Sequence, residues 1–201
     1  MSPPSLDFPE FKAPIQEVSV DSVQNNNIRL FIKREDLSHP QISGNKWRKL
    51  KYNLLYARDK GFNTLLTFGG AHSNHIYATA AAGKLYGFNT IGIIRGDELT
   101  ATNETLKFAA SCGMQLLFVD RESYRNKHNA DFLKDLENKF GQFYHLPEGG
   151  TNNLAIKGCE EILSPGDYNQ FDYICCCCGT GGTISGIISA SAGKSTILGF
   201  S

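Results

Sequence analysis

The chain has 201 residues, 20 basic and 20 acidic side chains, and is 41% hydrophobic and 20% charged. That length holds one sizeable domain or two small ones, and the balanced charge argues against a nucleic-acid partner, which calls for a basic excess. No apolar run approaches the ~18 residues of a membrane span, and the start Met1-Ser2-Pro3-Pro4-Ser5-Leu6-Asp7 lacks the basic and apolar stretches of a secretory signal.

In chain order, residues 29–33 read as a strand. Residues 45–58 read as a helix, because Trp47, Leu50, Leu54 and Ala57 recur at helical spacing and Gly61 follows as a stop. Residues 64–68 are the next strand and 73–86 the next helix, closed by Gly87. A strand over 90–94, a helix over 103–111 ended by Gly113, and a strand over 115–119 come next. A charged helix is expected over 126–140, and a further helix over 152–163 after a Pro-Glu-Gly-Gly turn. A strand over 172–178, a helix over 182–191 and a strand over 196–200 complete the pattern.

Short apolar strands alternating with helices indicate an α/β fold, with two parallel-sheet, three-layer domains. Right-handed crossovers place each strand-to-helix turn at one end of its sheet, where such folds bind ligands. The last strand has no helix after it to cover it, so the second domain is expected to be truncated.

Four of the six cysteines are consecutive, Cys175 to Cys178. A disulfide framework would spread them, so reduced thiols in the cytoplasm are expected. Four neighbours on a strand point alternately to opposite faces and cannot converge on a metal. A buried strand is the favoured reading.

Three constellations carry chemistry. Gly179-Thr180-Gly181-Gly182-Thr183 lies between a strand and a helix, where glycines admit an anion to backbone N–H groups. Position 184 is Ile, which breaks the dinucleotide fingerprint, and Ile188 stands where a P-loop ending Gly193-Lys194-Ser195 needs glycine. Ser73-Asn74-His75 opens a helix and is either a cap or a carboxylate seat. His72 and His75 have no third ligand at metal-site spacing, so no metal is expected. Lys46 follows Ser43-Gly44-Asn45 at a helix start, and a desolvated lysine beside a phosphate site suits imine chemistry.

The run Ser43-Gly44-Asn45-Lys46-x-Arg48-Lys49-Leu50, then Ser73-Asn74-His75, Gly149-Gly150 and Gly179-Thr180-Gly181-Gly182-Thr183 resembles the 1-aminocyclopropane-1-carboxylate deaminase and D-cysteine desulfhydrase family. Lys33-Arg34-Glu35-Asp36-Leu37 is similar to its leading strand, and the resemblance spans nearly the whole chain. It implies a fold type II enzyme of pyridoxal 5'-phosphate, acting on a small amino acid and dimeric with a second copy when complete. Lys46 matches the lysine that attaches to the cofactor, and Asn74 the asparagine on its ring hydroxyl. Ser73 matches the catalytic serine beside the substrate, and Ser73, Asn74 and His75 together the carboxylate-binding turn. Gly179, Thr180, Gly181, Gly182 and Thr183 match the phosphate loop. His75 looks like the desulfhydrase branch, since deaminases tend to carry glutamine there. Trp47 and Tyr77 depart from the family's usual smaller or basic residues, and a Trp47 near Lys46 would narrow the pocket.

The resemblance also divides the chain into a large cofactor domain, residues 1–48 and 157–201, and a small substrate-side domain, residues 49–156. The family's C-terminal part, with the partner of the pyridine nitrogen, has no counterpart here. Other readings are a serine/threonine dehydratase or racemase of the same fold type, a non-catalytic cofactor-binding protein, or a nucleotide-binding module.

Overall fold

The computed structural model describes residues 6–21, 26–96 and 103–201. The first five residues, on which part of the expectation about a secretory start rests, lie outside them. Strands β1 (Ile15–Val18) and β2 (Leu30–Lys33) form an antiparallel pair, with Ile15 opposite Lys33. Helix α1 (Asn45–Asp59) leads into β3 (Thr64–Gly70), α2 (Asn74–Tyr86), β4 (Asn89–Arg95), α3 (Glu104–Ser111) and β5 (Gln115–Val119). Helices α4 (Arg121–Arg125) and α5 (Ala130–Phe140), strand β6 (Tyr144–Leu146) and helix α6 (Asn153–Cys159) follow. Strand β7 (Tyr173–Cys177), helix α7 (Gly182–Ser191) and strand β8 (Thr196–Phe200) close the described chain.

The central sheet is parallel, in the order β5-β4-β3-β6. Alternation along β3 sends its side chains to two cores. Leu65 packs with Leu50, Leu54, Ala81 and Ala82 on the α1–α2 side. Leu66 and Phe68 pack with Ile91, Ile93, Tyr124 and Leu136 on the side of α4 and α5. A Leu or Phe buried in this way contributes about 1.5–3 kcal/mol. A second parallel sheet pairs β7 with β8. Its inner face, with Ile174 and Cys176, rests on Cys159, Tyr168 and Ile187.

Four expectations need correction. The charged helix expected over 126–140 starts later, at Ala130, where Asn129 Oδ1 accepts from Asp131 N at 2.8 Å as an N-cap, and a separate short helix, Arg121–Arg125, capped by Asp120 Oδ1 accepting from Glu122 N at 2.8 Å, precedes it. The helix over 152–163 is shorter, ending at Cys159 and tightening into a 3-10 turn, Glu160–Ile162. The strand read at 29–33 is not part of a parallel sheet, since β1 pairs with it antiparallel. The cysteine run is a strand, but Cys175 and Cys177 are exposed and Cys176 and Cys178 half-buried. Only one face of β7 is packed against described elements, so strand alternation leaves every second cysteine in solvent.

Candidate active-site cleft

Three helix starts converge on one cleft of about 490 Å³. Helix α1 brings Asn45 and Lys46, the turn after β3 brings Ser73 and Asn74, and the turn after β7 brings Gly179, Thr180, Gly181 and Thr183. The last two turns sit at the carboxyl ends of parallel strands, as the topology rule requires. Each helix start brings partial positive charge to the cleft. Lys46, Lys49 and Arg95 also line it, against the single carboxylate of Glu148. That carboxylate accepts from Tyr124 Oη at 2.8 Å and pairs with Lys127 at 3.4 Å. The cleft is therefore built to attract anions.

Lys46 sits in the first turn of α1, half-buried. Burial, then the neighbouring charge of Lys49, pulls its pKa from 10.5 down to about 8. A useful fraction of the amine is thus free base near neutral pH, which is the state that attacks a carbonyl. Asn45 ties this lysine to the glycine loop: its Oδ1 accepts from Lys46 Nζ at 3.4 Å, and its Nδ2 donates to Thr183 Oγ1 at 2.9 Å.

The two turns are built differently. Ser73 is a true N-cap, its Oγ accepting from His75 N at 3.2 Å and Ile76 N at 3.3 Å. Its own hydroxyl proton remains free to donate. The N-cap of helix α7 is Gly181, whose φ of 81° lies in the left-handed region and which supplies no side-chain cap. A Cβ on Gly179 or Gly181 would meet no atom within 4 Å, so this loop presents bare backbone to open space. Gly182 lies behind it, buried against Thr151 and Lys49.

Lys49 belongs to the site although sequence reading passed over it. It is 2% exposed, and its Nζ donates to Gly149 O at 3.1 Å, Thr151 Oγ1 at 3.0 Å and Thr180 Oγ1 at 3.4 Å. Thr151 and Thr180 share a hydrogen bond of 2.5 Å. Burial lowers the pKa of Lys49 as well. The available signal was its spacing: three residues after Lys46 on a helix puts both amines on one side.

The same geometry corrects the expectation for Trp47. One step along the helix from Lys46 turns it about 100° away, where it is 3% exposed within the α1–α2 core, between Phe8 and His39. It does not narrow the cleft. Tyr77 stacks on Phe108 at 3.8 Å between centroids and is not part of the cleft lining. Asn74 is exposed at the cleft. His75 is 1% exposed and 2.9 Å from Thr67 Oγ1. Its pKa is pushed from 6.5 to about 3 by burial and by the charges of Lys46 and Lys49.

The donor set suits a molecule with a phosphate monoester at one end and an aldehyde at the other. The uncapped loop and Lys49 could hold the phosphate, and Lys46 could meet the aldehyde. Pyridoxal 5'-phosphate has both groups.

Comparison with known proteins agrees. Residues 7–197 match the model of a family described as pyridoxal-phosphate dependent enzyme. A Thermotoga maritima protein provisionally named 1-aminocyclopropane-1-carboxylate deaminase is 37% identical over 79% of this chain and 52% of its own length. The Arabidopsis thaliana mitochondrial bifunctional D-cysteine desulfhydrase/1-aminocyclopropane-1-carboxylate deaminase is 34% identical over 81% of this chain and 45% of its own. A crystal structure of an ACC deaminase homologue superposes with a TM-score of 0.79 at 26% identity, over 96% of this chain and 62% of that one. The chain thus spans about half the length of these curated relatives. It belongs to the pyridoxal-phosphate dependent enzymes of fold type II, and within them it resembles the 1-aminocyclopropane-1-carboxylate deaminases and D-cysteine desulfhydrases.

Proposed function

We propose that this chain is the cofactor-attaching part of a lyase that acts on a small amino acid, in the manner of a D-cysteine desulfhydrase or a 1-aminocyclopropane-1-carboxylate deaminase. The observation that carries this is the half-buried, pKa-lowered Lys46 amine in the same cleft as the uncapped Gly179–Thr183 loop. In this reading Gly179, Thr180, Gly181, Gly182 and Thr183, backed by Lys49, hold the phosphate. Asn74 meets the ring hydroxyl. Bound pyridoxal phosphate supplies an electron sink for a negative charge developing at the substrate Cα.

The protein's own groups do the rest. With cofactor and substrate bound, Lys46 would serve as the base for the substrate Cα proton, and a pKa of about 8 suits it both to take and to return a proton near neutrality. Ser73 offers its free hydroxyl proton to the substrate carboxylate at the start of α2, where the helix end adds positive charge. Asn45 keeps the Lys46 amine beside the loop that anchors the phosphate. Burial of His75 behind that turn fixes the cleft wall.

The reading extends to residues 1–48 and 157–201 as a large cofactor domain and 49–156 as a small one, with the cleft between them. The complete protein is proposed to be a cytoplasmic homodimer. Among the described residues no helix is long and apolar enough to cross a membrane. The test is an assay of the full-length protein with D-cysteine and with 1-aminocyclopropane-1-carboxylate. Pyruvate plus hydrosulfide from the first is the outcome expected, because His75 resembles the desulfhydrase branch. Release of neither pyruvate nor 2-oxobutanoate from cofactor-loaded protein would overturn the lyase reading.

A further inference from the structure

The carboxyl end of the central sheet carries more positive charge than the proposed reaction uses. Arg95, the last residue of β4, lies in register between Gly70 on β3 and Val119 on β5. Gly70 lines the cleft, and the Arg95 guanidinium stands 3.8 Å from where a Cβ on Gly70 would lie. Val119 leads through Asp120 into α4, which carries Arg121 and Arg125. These two are four residues apart, so they share a face of the helix. A second cavity of about 340 Å³ is lined by Arg95, Arg121, Arg125, Tyr124, Lys127 and Glu148. Arg95 and Glu148 also line the active-site cleft, so the two cavities meet at these residues.

The charges in this second cavity do not balance. Glu148 is its single carboxylate, and both oxygens are engaged: Oε1 accepts from Tyr124 Oη, and Oε2 pairs with Lys127. Nearby Asp120 gives Oδ1 to the N–H groups of Glu122 and Ser123, and Oδ2 to the Ser123 hydroxyl. Elsewhere in the chain the arginines have partners. Arg29 pairs with Glu17, Arg34 with Asp36 and Arg48 with Glu35, while Arg58 donates to Tyr86 O. Among the described residues Arg95, Arg121 and Arg125 form no ion pair, and all three stand at this one cavity. Arg95 faces the ring of Tyr124, 5.7 Å from its centroid, and that ring is 3% exposed and fixed in the core. Like charges gathered without a counter-charge repel one another, and a bound anion removes that cost.

We propose that Arg95, Arg121 and Arg125 form a second anion site, beside the active-site cleft, for a tetrahedral oxyanion of the phosphate or sulfate class. The planar guanidinium fork donates two parallel N–H bonds to such an oxyanion. Three unpaired cations suit its double charge better than the single charge of a carboxylate. The site is distinct from the Gly179–Thr183 loop, which follows β7 in the other parallel sheet. The oxyanion arrives either free or as the side-chain group of an amino acid lying in the cleft. Arg95, on the wall of both cavities, is the residue that would hold it in the second case. The site stands on its own geometry and does not depend on the lyase reading.

The experiment uses the full-length, cofactor-loaded protein, in which the glycine loop is already filled, and inorganic phosphate as the probe. Calorimetric titration should show saturable binding at one site per chain. Arg121→Gln combined with Arg125→Gln, and separately Arg95→Gln, should each weaken it by about tenfold or more. Neither variant should lower the melting temperature in phosphate-free buffer or change the cofactor absorbance. No saturable heat from millimolar phosphate would overturn the site. Equal affinity in wild type and both variants would also overturn it, as an adventitious ion only. The second arm finds the source of the anion. Each enantiomer of cysteate, whose side chain ends in a sulfonate, is titrated against the cofactor absorbance beside the matching alanine. A preference for cysteate that Arg95→Gln removes supports an anion carried by the amino acid. Equal affinities, with phosphate bound at the arginines, support a free anion. A preference that survives Arg95→Gln would overturn the place given to Arg95. Protein that takes up no cofactor would sink the cofactor reading of the glycine loop, and loss of phosphate binding in the arginine variants would still locate this site.

Discussion

The two turns at the carboxyl ends of β3 and β7 make similar connections and end in opposite electrostatic states. Ser73 satisfies the first N–H groups of its own helix, so that turn is closed on itself and stabilised locally. Gly181 satisfies none with a side chain, so the first N–H groups of α7 remain directed at the cleft. The capped turn gives up part of its anion affinity for helix stability, and the glycine turn does the reverse. Lys49 enforces the difference, since its ammonium reaches Thr180 beside the uncapped turn.

Substitutions in the two turns should therefore separate cofactor affinity from fold stability. The largest effect is expected for Gly181→Asp, which places a carboxylate where a phosphate would sit. Affinity for pyridoxal phosphate should fall on the order of 100-fold or more in a titration. Gly181→Ala, which shares the backbone strain but not the charge, should lose much less. Equal losses would show that strain, not charge, governs the loop.

Lys49→Met comes next. Loss of a charge-assisted hydrogen bond costs about 1.5–3 kcal/mol, so cofactor affinity should drop roughly 10- to 100-fold. The melting temperature of the cofactor-free protein should move less than the affinity, because removing a buried charge offsets the loss of the donor to Gly149 O, Thr151 Oγ1 and Thr180 Oγ1. A large fall in melting temperature with cofactor affinity unchanged would make Lys49 a structural tie instead.

Acid sensitivity tests the buried wall behind the capped turn. The folded-state pKa of His75, about 3, lies below its unfolded value of 6.5. The unfolded chain thus binds the extra proton first. Stability is full above pH 6.5 and is lost as pH falls toward 3. At about 1.4 kcal/mol per unit, lowering the pH from 7 to 4.5 should cost about 2–3 kcal/mol through this residue. Carboxylates such as Asp167, whose pKa is lowered by Lys33, add to the acid loss. The check is therefore a difference: urea denaturation at both pH values should show a smaller acid penalty in His75→Gln than in wild type. Equal penalties would mean that His75 charges without cost.

The smallest effect belongs to Ser73→Ala. Removing the cap should cost about 1 kcal/mol of stability and leave cofactor affinity as it was. A large loss of affinity would show that the two turns share the anion, and the contrast between them would fail.

Much of the central sheet and its crossover helices was legible, because apolar periodicity and glycine stops act locally. The bounds of β5, α7 and β8 agree with the pattern, and Lys46 and the glycine loop stand out as motifs. What escaped depends on distant partners. Strand β1 exists through its pairing with β2, and three-residue β6 through its pairing with β3. Lys49 looks like any helix lysine until residues 149, 151 and 180 are folded around it. Trp47 was misjudged because adjacency in sequence is not adjacency on a helix. The cysteine run was read as buried because its composition is that of a core, whereas exposure is decided by what packs on each face.

The most direct test of the account is where the cofactor becomes attached. Full-length protein mixed with pyridoxal phosphate should turn yellow, and borohydride should fix the cofactor irreversibly. Peptide mapping should then find the label on Lys46 and nowhere else. Label on Lys33, Lys49 or Lys51, with Lys46 unmodified, would contradict the assignment of the cleft.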